Sequence, residues 1–408
     1  MHLKKVFFLL FIVFSINVYS QESLPFVENF TKSDYAGDNQ VWNVVQGNDN
    51  AIYFANHHFL LRYDGVVWEK YILPNKTIIR SVFADGDKIY CGSYKEFGYW
   101  QRVNGTMHYT SLSKNKNLFL GNADNEEIWK IFKLNDIIYF QAFNQVCQYD
   151  GKTVKSIKFP AQVSYCYVVD NKVYAASVRN GVYSLQGNAF KPENTWPQLK
   201  ETVVHGIEKC GNQIFVFTKN NGIYVGDAIA ITPWASPINS LLKNDIILTA
   251  KVVDNHTIAI GTALRGLYII DIATNTYKNI NRENGIKNNA VLSILLDNEH
   301  DLWLGLDNGI AHVEINSPVS LFTDNSGILG SVYALSECDK GYLFATNHGL
   351  FTYSNGLLHA VNNSQGQTWD IYKNGSQYIV GHNDGTFVFN SQGLIKSNPI
   401  NGGWNFIK

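Results

Sequence analysis

The chain has 408 residues, a formal net charge of −1, 14% aromatic residues and only 16% charged residues. With no excess of Lys and Arg, nothing marks a surface for a phosphate backbone, and this segment is not expected to bind nucleic acid. The length exceeds one small domain, and 23 Tyr and 24 Phe beside abundant Val and Ile favour sheets over helices.

The N-terminus reads as an export signal. Lys4 and Lys5 precede the apolar stretch Val6–Val18, and Val18-Tyr19-Ser20 places small residues for cleavage before Gln21. The stretch falls short of the roughly 18 apolar residues needed to span a bilayer. Met1 to Ser20 is therefore expected to be a signal peptide and the remainder an exported protein. Its five cysteines, Cys91, Cys147, Cys166, Cys210 and Cys338, are odd in number and mostly sit inside strand-like runs. Buried free thiols are expected, with a Cys147–Cys166 bridge as the alternative in an oxidising compartment.

From about residue 24 onward a unit of roughly 41 residues repeats nine times. Its anchors are Tyr53, Tyr90, Tyr139, Tyr174, Phe215, Ala259, Trp303, Phe344 and Ile379. Each copy opens with a strand-like run such as Trp42-Asn43-Val44-Val45, Trp129-Lys130-Ile131-Phe132 or Trp369-Asp370-Ile371-Tyr372. An Asp/Asn turn follows, as at Asp170-Asn171, Asp254-Asn255 and Asp297-Asn298, then the anchor strand. A second turn tends to end in Gly, as in Asn180-Gly181, Asn221-Gly222 and Asn308-Gly309, before a third strand and a weaker outer one. Strand repeats of this length, each too small to bury its own face, define propeller blades. The fold expected is all-β, a seven-bladed β-propeller over residues 24–317 followed by the first blades of a second over 318–408, with Asn316-Ser317-Pro318 at the boundary. A further repeat begins at Trp404-Asn405-Phe406-Ile407. The chain is therefore expected to be a truncated piece of a longer protein, since a partial ring leaves strand edges unpaired.

The stretch Val291 to Ile310, with Ile294, Asp297, Leu302, Trp303, Gly305 and Gly309, resembles the two-component-regulator propeller repeat. Ile52-Tyr53-Phe54-Ala55-Asn56, Tyr63-Asp64-Gly65, Ile79-Arg80-Ser81-Val82 and Glu96-Phe97-Gly98-Tyr99-Trp100 are similar to exported sensor regions of Bacteroidetes regulators. The resemblance implies a periplasmic, ligand-binding, non-enzymatic sensor that acts in signal transduction and transcription regulation. A triple-tyrosine domain, a membrane helix and a histidine kinase or helix-turn-helix output would follow beyond this chain. The membrane would be met only through that C-terminal helix. The expected partners are a small molecule or oligosaccharide and a second copy in a homodimer. Phe143-Asn144-Gln145 lacks the Gly turn, and Ala259 stands where Trp is usual.

Turns between second and third strands occupy the same repeat offset and so should share one face. They carry the expected ligand-binding residues His57, His58, Tyr94, Glu96, Phe97, Arg179, Lys219 and Arg265, together with Lys95. Aromatic groups beside charged ones suit a sugar ring and its hydroxyls; solvated turns are the plainer reading. His57 and His58 are adjacent, a poor arrangement for joint chelation, and no metal or other cofactor is expected. The acidic run Asp124-Asn125-Glu126-Glu127 could line a channel mouth, but one patch does not place two carboxylates across a bond, and no catalytic residue is assigned. The alternatives are a secreted propeller enzyme, a glycan hydrolase or lyase, and a protein-binding scaffold.

Overall fold

The computed structural model describes residues 23–406 apart from 120–125, 323, 325–326, 340, 355 and 399. The signal peptide expected over Met1–Ser20 thus lies outside the described residues, as do Asp124, Asn125 and Ile407. The fold is an all-β β-propeller architecture. Among the described residues the helices are short: Lys32–Tyr35, Pro237–Asp245 and a 3-10 turn at Pro197–Leu199.

Among the described residues the strands form nine antiparallel sheets, and the chain divides into two compact units. Seven sheets belong to Leu24–Ser320; the other two belong to a unit that includes Leu321–Lys408. The first sheet comprises Asn43–Gln46, Ile52–Asn56, Phe59–Tyr63 and Trp68–Ile72, in sequence order. The second to sixth repeat that scheme, with first strands Ser81–Asp85, Lys130–Leu134, Val163–Val169, Val204–Cys210 and Ile247–Val252. The seventh runs Val291–Leu296, Leu302–Leu306, Ile310–Glu314, then Leu24–Phe30 from the other end of the unit, with a two-residue strand at its edge. First strands of successive sheets lie side by side, and Val291–Leu296 lies beside Asn43–Gln46, so they close a ring around an axis.

The repeat pattern does not point to that closing strand, because its partner lies at the far end of the ring. Leu24–Phe30 pairs with Ile310–Glu314 in a register that sets Phe30 opposite Ile310 and Phe26 opposite Glu314. Phe30 then stacks on Trp303 at 5.8 Å and meets Tyr63 and Trp68 of the first sheet at 5.3 and 5.4 Å. One ring therefore joins the seventh sheet to the first. Burying a side chain of this size contributes about 1.5–3 kcal/mol.

The second strands are the core. Ile52–Asn56 and Leu302–Leu306 are buried at every position, because each is covered on both faces by neighbouring sheets; hence their unbroken apolar runs. Eight of the nine anchors take one register position, opposite Val45, Phe83, Phe132, Tyr167, Glu208, Lys251, Leu295 and Tyr372 in turn. The eighth is corrected: Leu343, opposite Ser336, holds that position, and Phe344 is one residue on. A slip of one residue reverses the face.

The turns follow their chemistry. Asp170 and Asn171 both take positive φ, 48° and 57°, as a two-residue hairpin requires. Asp254 Oδ1 accepts the backbone N–H groups of His256 and Thr257 at 2.7 Å each. Gly222 has φ 76°, and a Cβ there would lie 2.3 Å from Asn239 Oδ1, so this turn admits only glycine. Phe143-Asn144 turns without glycine, closed by Ala142 N–H donating to Gln145 O at 2.9 Å. All five cysteines are free, and burial pushes the Cys147 thiol up to about 12.

Candidate functional site

Because all first strands of the ring run the same way, turns between second and third strands meet the connections between sheets at one rim. Backbone bonds tie them there: Ile79 N–H donates to His57 O at 2.6 Å, Lys95 N–H to Glu126 O at 2.8 Å and Ile247 N–H to Lys219 O at 3.1 Å. The residues expected from the sequence are thus on one face, spread around the rim sheet by sheet.

Their states differ. His58 is exposed, its Nδ1 2.9 Å from Asp38 Oδ2. His57 is half-buried with φ 49°, and burial, then the neighbouring His58, push its pKa down. Tyr94 is 38% exposed, with Lys95 Nζ 5.4 Å over its ring. Arg179 and Lys219 are exposed, and Arg265 lies 3.9 Å from Asp245. Two expectations are corrected as to role. Phe97 is fully buried and stacked on Phe140 at 4.2 Å, leaving no face for a ligand. Glu96 accepts from Tyr109 Oη and Ser113 Oγ, each at 2.8 Å, so it ties its own sheet together.

A convergent group lies at the residue that opens each first strand. In the fourth to seventh sheets this position is a register break, with an extra residue between Val163 and Tyr165, Val204 and Gly206, Ile247 and Thr249, and Val291 and Ser293. Such a bulge re-aims its side chain. In the first three sheets the corresponding residues are Trp42, Arg80 and Trp129, whose N–H groups donate to Ala55, Gly92 and Gln141. Trp42 and Trp129 belong to sheets that are not neighbours, yet their rings meet edge-on at 5.9 Å. They do so in front of the second sheet, which stands between them in the ring.

Arg80 lies between them, its guanidinium carbon 4.3 Å from the Trp42 ring and 4.8 Å from Trp129. Its Nε and Nη2 donate to Glu127 Oε2 and Oε1 at 2.9 and 3.2 Å, a two-point fit that fixes the plane of the cation. Each cation–ring contact adds about 0.5–2 kcal/mol, more as water is excluded. Arg80 Nη1, both indole Nε1 atoms, His57 Nδ1 and Glu126 Oε2 are buried without a hydrogen-bond partner. Glu126 Oε1 accepts from Asn144 Nδ2 at 2.5 Å. Burial raises the Tyr165 phenol pKa against a smaller opposite pull from Arg80. An open cleft of about 410 Å³ adjoins His57, with Lys32, Asp38, Gln40 and Asp307 among its walls.

Only part of this group was visible in the sequence. Trp42 and Trp129 mark strand starts and Glu127 belongs to the acidic run at a channel mouth, whereas Arg80 enters only within Ile79-Arg80-Ser81-Val82, the stretch similar to exported sensor regions. The available signal was that one repeat position holds Trp42, Trp129 and Trp369. Aromatic side chains recurring there mark a lining position rather than a packing one.

Fold and site define a β-propeller with an aromatic, charged group on its axis. No known family model matches the chain, and no curated protein matches it. Solved structures do. The extracellular domain of a protein assigned as a hybrid two-component system from B. thetaiotaomicron matches 94% of this chain and 55% of its own, at 16% identity and TM-score 0.69. The extracellular domain of a one-component system from the same organism matches 94% and 56%, at 18% identity and TM-score 0.57. Streptogramin B lyase matches 72% of this chain and 98% of its own, at 15% identity and TM-score 0.55. These likenesses establish the fold, and this chain spans about half the length of the first two.

Proposed function

We propose that this chain is the ligand-binding region of an exported, membrane-anchored signalling regulator that senses an extracellular small molecule or oligosaccharide. In this reading residues 24–317 are a complete seven-bladed propeller and 318–408 open a second one. Support comes from the two extracellular domains of signalling systems that share the fold over 94% of the chain. The carrying observation is the axial group of Trp42, Arg80 and Trp129, three side chains from three sheets brought within ring-contact distance. Indole faces and held N–H donors suit a sugar's apolar face and its hydroxyls. A bound ligand signals only if it favours one arrangement of the regulator over another.

The test is calorimetric titration of the protein against a panel of oligosaccharides and small metabolites. A binder is expected, and Trp42→Ala and Trp129→Ala should each weaken it by about tenfold, near 1.4 kcal/mol. Binding left unchanged by both substitutions overturns the site. A gene lacking any downstream membrane segment overturns the regulator. The shared fold of streptogramin B lyase and the unpartnered Glu126 Oε2 favour a lyase as second reading; product formed by the wild type and abolished by Glu126→Gln would establish it.

A further inference from the structure

The cleft beside His57 stands where the ring closes, and its walls come from both sides of that junction. His57 belongs to a turn of the first sheet and Asp307 to the matching turn of the seventh. Asp38 to Gln40 lie on the segment that joins Leu24–Phe30 to Asn43–Gln46. That segment is firmly held. Asn56, fully buried, accepts the Asp38 N–H at 2.7 Å and donates to Asp38 O and Gln40 O at 2.7 and 3.1 Å. Gly309 N–H donates to Asn39 O at 2.9 Å, and Gln40 Nε2 to Asp307 Oδ1 at 2.7 Å. A Cβ at Gly37 would lie 2.5 Å from Asn56 Oδ1, so the chain passes too close there for any side chain.

At about 410 Å³ the cleft is of ligand size. Among the described residues no Phe, Tyr or Trp lines it, so an occupant is held by hydrogen bonds rather than by stacking. Asp38 Oδ2 accepts from the His58 N–H at 3.1 Å and lies 2.9 Å from His58 Nδ1, while Asp307 Oδ1 is taken by Gln40. Among the described residues no donor meets the second oxygen of either carboxylate. His57 Nδ1 is buried without a partner. Lys32 stands alone against the two carboxylates, which leaves the walls acidic and richer in acceptors than in donors. The occupant that fits brings several hydroxyl donors and no negative charge.

The cleft adjoins the axial group. Gln40 precedes Trp42 by two residues, at most about 7 Å of chain, and the His57 carbonyl accepts the N–H of Ile79, the residue before Arg80, at 2.6 Å. Resting on the sensor reading above, we propose that the cleft is a second sugar subsite. One unit of the ligand donates its hydroxyls to Asp38 and Asp307 while the next lies against Trp42 and Trp129. The ligand class is then a neutral oligosaccharide of two or more units, and a uronic acid is rejected from the cleft by both carboxylates.

The test is calorimetry of the full chain with galactobiose, cellobiose and mannobiose beside galactose, glucose and mannose, and with digalacturonate as the charged counterpart of galactobiose. At least one neutral dimer is expected to bind roughly tenfold tighter than its monomer, and digalacturonate less tightly than galactobiose. Asp307→Asn keeps an oxygen for Gln40, and Asp38→Asn keeps one for His58. Each should remove the dimer's advantage without changing the monomer's affinity or the thermal melt, whereas a merely structural role would lower the melt and weaken both. A dimer advantage that survives both substitutions overturns the inference, as do dimers that never exceed their monomers. Digalacturonate binding tightest of all would overturn the neutral class. The sensor reading fails separately: Trp42→Ala and Trp129→Ala leaving every affinity unchanged removes the axial site, even where dimer binding still depends on Asp307.

Discussion

The same repeat is used in the ring and in the second unit, with different consequences for its first strands. Val291, opening the seventh sheet, is fully buried. Its equivalent Val332, opening the eighth, is 46% exposed, and Tyr333 and Leu335 beside it are 44% and 57% exposed. Within the ring a first strand has a neighbour on both sides. Within its own unit, among the described residues, the first strand beside Val332–Cys338 is Thr368–Asn374. The axial position differs as well. In the ring it holds an ion-paired arginine between two indoles; in the second unit it holds Tyr333, Trp369 and Trp404, with successive rings 4.9 Å apart and Trp404 64% exposed. Closure is what converts an apolar strand into core, and it allows a charge to be held at the axis.

The largest effect should come from breaking closure. Phe30→Ala removes the ring that joins the seventh sheet to the first and should cost roughly 3–5 kcal/mol. Denaturant unfolding followed by tryptophan fluorescence should show this loss in the ring's transition alone, with that of the second unit unmoved. A uniform loss across both transitions would end the comparison, since it would mean the two units unfold as one. Next in size is Arg80→Met, which keeps the apolar stem but leaves Glu127 without its two-point partner. A loss of about 1.5–3 kcal/mol is expected, restored in part by the double change Arg80→Met with Glu127→Gln. A double-mutant cycle measures the coupling.

Much of the propeller was legible because its determinants are local. Asp170-Asn171 and Asn221-Gly222 specify hairpins whatever surrounds them, and the second strands read as unbroken apolar runs because both faces are covered. What escaped the sequence is non-local. Leu24–Phe30 finds its partner only when the ring closes, and nothing in its seven residues names Ile310–Glu314. Leu343 and Phe344 are both apolar and either could be the anchor by residue type; only the hydrogen-bonded register shows that Leu343 holds the place. The rim turns were found by their offset, but an offset does not distinguish Tyr94, which points out, from Phe97, which points in. Arg80 escaped for the opposite reason. Its neighbours Ile79 and Ser81 carry no charge that would point to a partner, and Trp42, Glu127 and Trp129 lie 38, 47 and 49 residues away in the chain, brought to it only by the ring.

A smaller effect sharpens the contrast between the two axial groups. Tyr333→Ala removes an exposed ring stacked on Trp369 at 4.9 Å. It should cost only about 0.5–1.5 kcal/mol, less than Arg80→Met, and should move only the second unit's transition. A loss equal to that of Arg80→Met would show that the stack is as firmly held as the ion-paired group, and that exposure is a poor guide to its contribution.

The smallest effect is a pH dependence confined to the ring. His205 occupies the fifth sheet's axial position, its Nδ1 2.8 Å from Ile247 O. Burial pushes its pKa below the usual 6.5; the bond to Ile247 opposes this, and Lys219 adds to the depression. His57 is depressed in the same sense by burial and by His58. A histidine whose folded pKa lies below its unfolded value binds its proton more readily in the unfolded chain. Its neutral form therefore carries no penalty above pH 6.5, and stability falls as pH drops through 6.5 toward the folded value. Thermal melts at descending pH should show the ring's transition move down over that window. His205→Asn, whose side-chain amide nitrogen stands where Nδ1 does and can still donate to Ile247 O, should flatten the slope without lowering the melt at high pH. An unchanged slope in that variant would assign the dependence to His57 instead, and an unchanged slope when His57→Gln is added to it would remove both histidines from the account.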